Sequence, residues 1–262
     1  MSSVARIVGP QSTFAERMGT LLDRIECRPA YTHGDIEDFL RLRYEAYLKE
    51  GAVLPNQTGK LEDRFDLTGN AWNFGFYLDG LLVSAIRVHL LTDHTHVSPA
   101  LDAFPEVLAP QIAAGKIVVD PNRFVVSPSA ARQYPELPFV TVRAAYMGGV
   151  HFNADLMTAT VRAEHQAFYR RYLSFTLACP PRHYPTLTKP LSLMLLDFKK
   201  DASTIADRLP AFVSSARERS GLYENCRALR NFCSEVSCKV PPAQANTRLA
   251  QADEPPRVAR SA

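Results

Sequence analysis

The sequence predicts one α/β domain whose sheet mixes strand directions, with helical additions at both ends. Three observations predict it. Two alternating runs meet at Asp79-Gly80, three further strand-like runs alternate with helical patterns, and helical periodicity occupies both flanks. A length of 262 residues suits one large domain with appendages, at a prior of ~150 residues per domain.

Ser12 to Arg24 carries apolar residues at helical spacing, and Ile25 to Tyr31 reads as a short extended piece. Thr32 or Asp35 can cap the next helix, which ends at Gly51. Its stripe is Ile36, Phe39, Leu40, Tyr44, Tyr47 and Leu48, and Arg43 sits inside it. Trp72, Phe74, Phe76 and Leu78 alternate with smaller or polar residues, then Asp79-Gly80 opens a second alternating run, Leu81 to Leu91: a hairpin. Arg87 shares a face of that run with Val83, Ala85 and His89. Pro99 to Gly115 reads as a helical connection. Lys116 to Ser127 reads as a strand interrupted at Asp120-Pro121-Asn122, because proline removes a ladder donor. A helix over Phe139 to His151, a strand over Leu156 to Val161, a helix over Ala163 to Leu173 and a strand over Leu191 to Phe198 follow. Ala202 to Ser234 is mostly helical despite Pro210. The tail 239–262, with four prolines and no aromatics, reads as disordered. The boundaries are thus 1–24 for the N-terminal helix, 25–198 for the domain, 199–238 for a C-terminal helical extension and 239–262 for the tail.

Charge and hydropathy exclude several classes. The net charge of +3 is spread along the chain without a Lys/Arg block, so nucleic acid is not an expected partner. Leu81 to Leu91, the best apolar run, is broken by Ser84, Arg87 and His89, far short of the ~18 residues of a membrane span. No leader pattern is seen, so the expected location is cytoplasmic, and five cysteines suit reduced thiols there. Cys226, Cys233 and Cys238 lack the C-x-x-C spacing of a zinc site, so no metal is expected.

The chain has no phosphate-binding glycine loop, no G-x-S-x-G and no H-E-x-x-H. Two H-x-x-x-D pairs, His89/Asp93 and His151/Asp155, are too short a pattern to mark a base. More unusual are arginines on apolar faces, Arg43 and Arg87, beside acidic groups in K-L-E-D-R-F-D. Asp120 and Arg123 also flank the strand interruption. Buried ion pairs add little net stability over apolar residues, so several in one domain point to either a bracing network or a site.

L-R-L-R-Y-E-A-Y (40–47), D-R-F-D (63–66), I-R-V-H-L-L (86–91) and D-P-N-R-F-V-V (120–126) occur in one order. With A-E-H-Q-A-F-Y-R-R-Y-L-S-F (163–175) and Y-P-T-L-T-K-P-L-S-L-M (184–194), this resembles the N-acyl amino acid synthases and, less closely, the acyl-homoserine-lactone autoinducer synthases. Both are built on the GNAT acyltransferase fold. The resemblance covers about 25–198. It implies a GNAT-like mixed sheet and transfer of a long-chain acyl group to the α-amine of an amino acid. It also implies that Arg43, Asp63, Asp66, Arg87 and Arg123 shape the acceptor side. Asp120 stands where the family usually has Glu, and is the expected base. A bulge next to splayed strands is expected to leave a backbone N–H of Phe124, Val125 or Val126 for the thioester oxygen. Tyr169 is a candidate to protonate the leaving thiolate.

Coenzyme A-dependent relatives carry a glycine-containing pyrophosphate loop, and after Val126 this chain reads S-P-S-A-A-R-Q-Y-P-E-L-P-F. The implied donor is therefore an acyl-phosphopantetheine thioester on acyl carrier protein, with no permanent cofactor. Arg132, Arg170, Arg171, Lys199 and Lys200 are candidates to meet that acidic partner. No tryptophan precedes Trp72, which departs from the autoinducer synthases and argues against S-adenosylmethionine as acceptor. A catalytically silent module that binds the carrier protein is the reading from outside enzymology.

Overall fold

The computed structural model describes residues 12–30, 32–184 and 187–224. Seven strands form one sheet: β1 (Ile25–Pro29), β2 (Ala71–Leu78), β3 (Leu81–Leu91), β4 (Val118–Val126), β5 (Leu156–Val161), β6 (Thr176–Arg182) and β7 (Leu191–Asp197), in the order β1-β2-β3-β4-β5-β7-β6. All neighbours are antiparallel except β4 and β5. This is the mixed sheet that the GNAT resemblance implies. The β2–β3 hairpin turns where expected, with Asp79 and Gly80 both at positive φ (51° and 81°), as a tight two-residue turn requires.

Helices cover both faces. On one lie α2 (His33–Lys49), α3 (Pro99–Ala103) and α4 (Pro105–Ala113). On the other lie α1 (Phe14–Arg24), α6 (Leu137–His151), α7 (Gln166–Leu173), α8 (Phe198–Arg208) and α9 (Ala216–Tyr223), while α5 (Pro128–Gln133) links β4 to α6. Capping boxes start α1 (Thr13 with Glu16) and α2 (Thr32 with Asp35), each satisfying two backbone donors. Strand alternation sorts the side chains. Phe74, Ile86, Met157 and Met194 face the main core under α6, whereas Ala85, Arg87 and His89 face the α2 side.

The crossover pair β4/β5 touches only at Val118↔Leu156 and Val119↔Met157, and beyond those residues the strands part. Pro121 belongs to that divergence. Leu90 N–H donates to Asn70 on the β2 side, so Val119, opposite Leu90, turns its own N–H away from β3; Pro121 shares that parity. Its missing N–H therefore faces the gap and costs no ladder bond. Pro121 stays in register opposite Val88, so the interruption lies elsewhere than the proline suggests. The register slips where Ala85↔Val125 gives way to Arg87↔Asn122, and Arg123 in the extra position adopts φ 51°.

Two elements depart from the sequence reading. Thr176–Arg182 forms β6, an edge strand that Pro180 and Pro181 conceal in sequence but that an edge tolerates. The C-terminal helix begins earlier than expected, at Phe198, and breaks at Pro210 into a 3-10 turn (Pro210–Phe212) before α9. Cys226, Cys233, Cys238 and the tail 239–262 lie outside the described residues.

The C-terminal helices pack into the main core through two glycines of α6. A Cβ on Gly148 would sit 2.5 Å from the Tyr223 hydroxyl, and one on Gly149 2.5 Å from the Phe198 ring. Overpacking costs about 1–3 kcal/mol, against ~1 kcal/mol of helix propensity that alanine gains over glycine. Urea unfolding of Gly149→Ala is therefore expected to show a lower midpoint than the parent; a raised midpoint would mean that Phe198 yields freely.

Candidate active site

The D-R-F-D segment folds into a turn that presents both carboxylates. Asp63 N–H donates to Asp66 Oδ2 (2.8 Å) and Phe65 N–H to Asp63 Oδ1 (2.9 Å). Three arginines converge on this turn from three elements. Asp66 Oδ1 accepts from Arg43 Nη1 on α2 (2.6 Å) and Arg87 Nη1 on β3 (2.5 Å). Asp63 accepts from Arg87 Nη1 (2.7 Å) and Nη2 (3.1 Å), and from Arg123 Nε on β4 (2.9 Å). Arg87 is wholly buried, and its Nε donates to Asn122 Oδ1 (2.6 Å), so each of its three guanidinium nitrogens donates. Burial alone pushes the Asp63 carboxyl up. The hydrogen bonds and charges of Arg87 and Arg123 outweigh it and hold the group well below the usual carboxylate range. Among the described residues, the two carboxylates of the turn thus face three arginines.

The bulge explains how one strand serves this cluster twice. In a regular strand Asn122 and Arg123 would point to opposite faces. With Arg123 in the left-handed region both reach the α2 side, one to Arg87 and one to Asp63. Non-glycine residues pay roughly 1–3 kcal/mol for such a conformation, which the double contact to Asp63 helps to offset.

Asp120 lies behind this cluster. It is wholly buried and takes the Thr158 hydroxyl on Oδ1 (2.5 Å), with Ala100 N–H (3.4 Å) and Asn122 Nδ2 (3.3 Å) on Oδ2. Burial pushes its carboxyl up, against the Thr158 and Ser98 hydroxyls, the Ala100 N–H and the Arg87 charge. Asn122 Nδ2 also donates to His89 Nδ1 (3.0 Å), which places the ring proton on Nε2, facing Thr68 Oγ1 (3.2 Å). Burial and the Arg87 charge push His89 down to about 3, so it is neutral at pH 7. Neither H-x-x-x-D pair meets: Asp93 reaches His94, while Asp155 holds Ile117 N–H and Lys199.

Where β4 and β5 part, a cavity of about 420 Å³ passes between the strands. Arg123, Tyr47 and Thr160 line it on the α2 side, and Tyr169, Phe168 and Pro138 on the α6 side. Ser127 N–H donates to Val83 O on β3 (2.8 Å). Alternation then sends the Val125 N–H to Ala85 and turns that of Val126 towards the gap. Thr160 Oγ1 is buried with no partner among the described residues, an unusual cost unless a ligand supplies one. Burial pushes the Tyr169 phenol above its ordinary range.

Residues 38–197 match the family of the N-acyl amino acid synthase FeeM, more than half of the chain. The chain belongs to the FeeM family of N-acyl amino acid synthases. Members are acyltransferases, and the fold agrees. The structure of FeeM from uncultured soil microbes matches with a TM-score of 0.56 at 17% identity, covering 68% of this chain and 92% of FeeM. The acyl-homoserine-lactone synthase LasI matches at 0.54 and 12% identity, over 73% of this chain and 96% of its own. BjaI, a coenzyme A-dependent acyl-homoserine lactone synthase, matches at 0.50 and 15%, over 67% and 82%. At these identities the likeness shows the GNAT-like fold. No curated protein sequence matches. Among the described residues no helix is long and apolar enough to cross a membrane, and no group of His, Cys, Asp and Glu could hold a metal.

The structure brings Arg43, Asp63, Asp66, Arg87 and Arg123 together in one cluster, and of these only Arg123 borders the cavity. Phe124, Val125, Val126 and Tyr169 line the cavity, whereas Asp120 does not. Lys199 pairs with Asp155, Arg170 reaches back to Gln166 and Arg171 lies over Tyr172. The sequence does not single out Thr160, Tyr47 or Tyr184 as site residues. Tyr47 reads as helix core in sequence, but it lies 5.6 Å from the Arg123 guanidinium and lines the cavity. Tyr184 is close enough to Arg123, Asp63 and Asp120 to feel their charges, and burial pushes its phenol up to about 12.

Removing Asp63 leaves Arg87 and Arg123 short of charge compensation, a change that costs about 3–5 kcal/mol for a broken buried pair. Because the folded carboxyl titrates below its unfolded value, its contribution is complete above pH ~4 and is lost as pH falls further. Asp63→Asn is therefore expected to lower stability at pH 7 by that amount. It should also flatten the acid limb of a stability–pH curve. An unchanged acid limb would show that Asp63 is not held as an anion.

Proposed function

We propose that this chain transfers a long-chain acyl group from acyl carrier protein to the α-amine of an amino acid. The observation that carries this reading is the cavity through the β4/β5 gap, which has a backbone N–H on one wall and the arginine of a buried ion-pair cluster on another. The thioester oxygen would accept from Val126 N–H as it gains charge. Arg123, the cluster's arginine on the cavity wall, would meet the amino acid carboxylate. The amine nitrogen, freed of its ammonium proton, attacks the thioester carbon and the C–S bond breaks. The thiolate takes a proton from Tyr169, whose phenolate recovers the second proton that the nitrogen sheds as the amide forms. The ammonium proton passes to Asp120. Since Asp120 does not border the cavity, that proton travels by way of water or a hydroxyl; the burial that raises this carboxyl suits a proton acceptor.

Two features support a carrier-protein donor over coenzyme A. The β4–α6 connection has no glycine. At the start of α6, where relatives of the coenzyme A type receive pyrophosphate, the buried Glu136 carboxylate is held by Arg17 of α1 at 2.6 Å. An anion already at a helix N-terminus disfavours a second. The absence of tryptophan before Trp72 favours an amino acid over S-adenosylmethionine.

Incubation with long-chain acyl carrier protein, a pool of amino acids and S-adenosylmethionine, read by mass spectrometry, is expected to yield an N-acyl amino acid. Asp120→Asn and Tyr169→Phe should each lower kcat by about 10²-fold or more, the range of general acid–base groups. Full activity in Asp120→Asn would remove it as proton acceptor. Intact thioester from every donor, acyl-coenzyme A included, would leave the binding-module reading. Thr160→Val should raise KM for the donor with little change in fold stability, because the hydroxyl it removes has no protein partner.

A further inference from the structure

The proton that leaves the acceptor amine has to cross from the cavity to Asp120, which is wholly buried and lies off the cavity wall. Two phenols are placed to span that distance. Tyr47 of α2 lines the cavity, its ring 5.6 Å from the Arg123 guanidinium. Tyr184, in the segment that leads into β7, is buried with Leu187 and Leu191 in a cluster against which Tyr47 packs. Leu187 and Leu191 line the cavity and Tyr184 does not, so Tyr184 sits behind that wall. The same cluster takes in Ala103 at the end of α3, the helix whose Ala100 N–H donates to Asp120 (3.4 Å). The Tyr184 phenol is close enough to Arg123, Asp63, Asp120 and Arg87 to feel their charges, while Tyr169 and Arg123 feel Tyr47. Among the described residues the Tyr184 hydroxyl makes no hydrogen bond, although buried polar groups are nearly always paired.

We propose that Tyr184, fed by Tyr47, relays the acceptor's ammonium proton to Asp120. This rests on the acyl-transfer reading above. Tyr47 takes the proton from the ammonium nitrogen as it passes its own to Tyr184, and Tyr184 passes its own to Asp120. Each hand-off is direct or crosses one water. Both phenols end neutral, the ammonium becomes the amine that attacks, and Asp120 becomes a carboxylic acid. Burial disfavours a lasting phenolate at Tyr184, so the protons move together, and the Arg123 charge beside both phenols opposes that burial cost.

Rates of N-acyl amino acid formation from hexadecanoyl acyl carrier protein and an equimolar amino acid pool, measured from pH ~6 to ~10, test it. Tyr184→Phe keeps the ring and its packing. It is expected to lower kcat at pH 7 by about 10²-fold, with KM for the acyl carrier protein within about twofold of the parent. The deficit should narrow above pH ~8, where an α-amine sheds its proton to solvent. Tyr47→Phe should show the same pattern. Losing the terminus loses the whole route, so adding Tyr184→Phe to Asp120→Asn should slow that variant no further. Parent-like kcat in Tyr184→Phe, a deficit that stays constant with pH, or an effect that multiplies with that of Asp120→Asn each overturns the relay and leaves acyl transfer standing. If the parent forms no N-acyl amino acid from this donor or from hexadecanoyl coenzyme A, the acyl-transfer reading fails and takes the relay with it.

Discussion

Everything at the centre of this molecule depends on Arg87, a wholly buried guanidinium that no solvent reaches. A charge so placed must be compensated, and the chain supplies a partner for each of its nitrogens from distant segments: Asp63 and Asp66 from the long connection before β2, and Asn122 from β4. That requirement fixes the path of residues 50–70, which otherwise hold no regular secondary structure. It also recruits Arg43, locking α2 against the sheet. Replacing such a network with apolar residues is often neutral or stabilising in other folds. Its retention here makes sense when its outer arginine, Arg123, forms part of a cavity wall.

The bulge at Arg123 joins the two halves of the site. One extra residue in β4 puts Asn122 and Arg123 on the same face, and it also resets the parity of the strand beyond. Before the bulge, odd-numbered residues such as Val119 and Pro121 face the gap with their amide positions. After it, Val126 does. The same insertion therefore satisfies Asp63 and aims a backbone donor into the opening.

Legibility in the sequence followed the strength of local signals. The Asp79-Gly80 hairpin and the capping of α2 by Thr32 and Asp35 were readable because turn chemistry and periodicity agree there. The cluster was readable as arginines on apolar faces, since a buried guanidinium must find a carboxylate. The bulge was misplaced because Pro121 is a conspicuous breaker, whereas nothing marks an arginine as left-handed. β6 was hidden by its two prolines and its exposure, both tolerable only at an edge that tertiary pairing defines. Tyr47 sat in an amphipathic stripe, and the pattern does not say that the sheet beneath it has split.

Asp120 illustrates the limit of reading chemistry from spacing. Three residues before an arginine, it looks like a base beside its substrate. In the fold, alternation places it beneath α3, where it takes Ala100 N–H and the Thr158 hydroxyl and ties the helix to both parting strands. Those contacts hold β4 and β5 together just before they separate, so the carboxylate helps to define where the gap begins. In the proposed role as proton acceptor, Asp120 would have to take the proton without losing the brace. Protonation would convert one acceptor oxygen into a donor amid Thr158, Ser98, Asn122 and Ala100. Asn122 Nδ2 and Ala100 N–H are donors that cannot accept it, whereas a hydroxyl can rotate to do so. Oδ1, facing the Thr158 hydroxyl, is therefore an oxygen on which a proton could rest without disturbing the sheet.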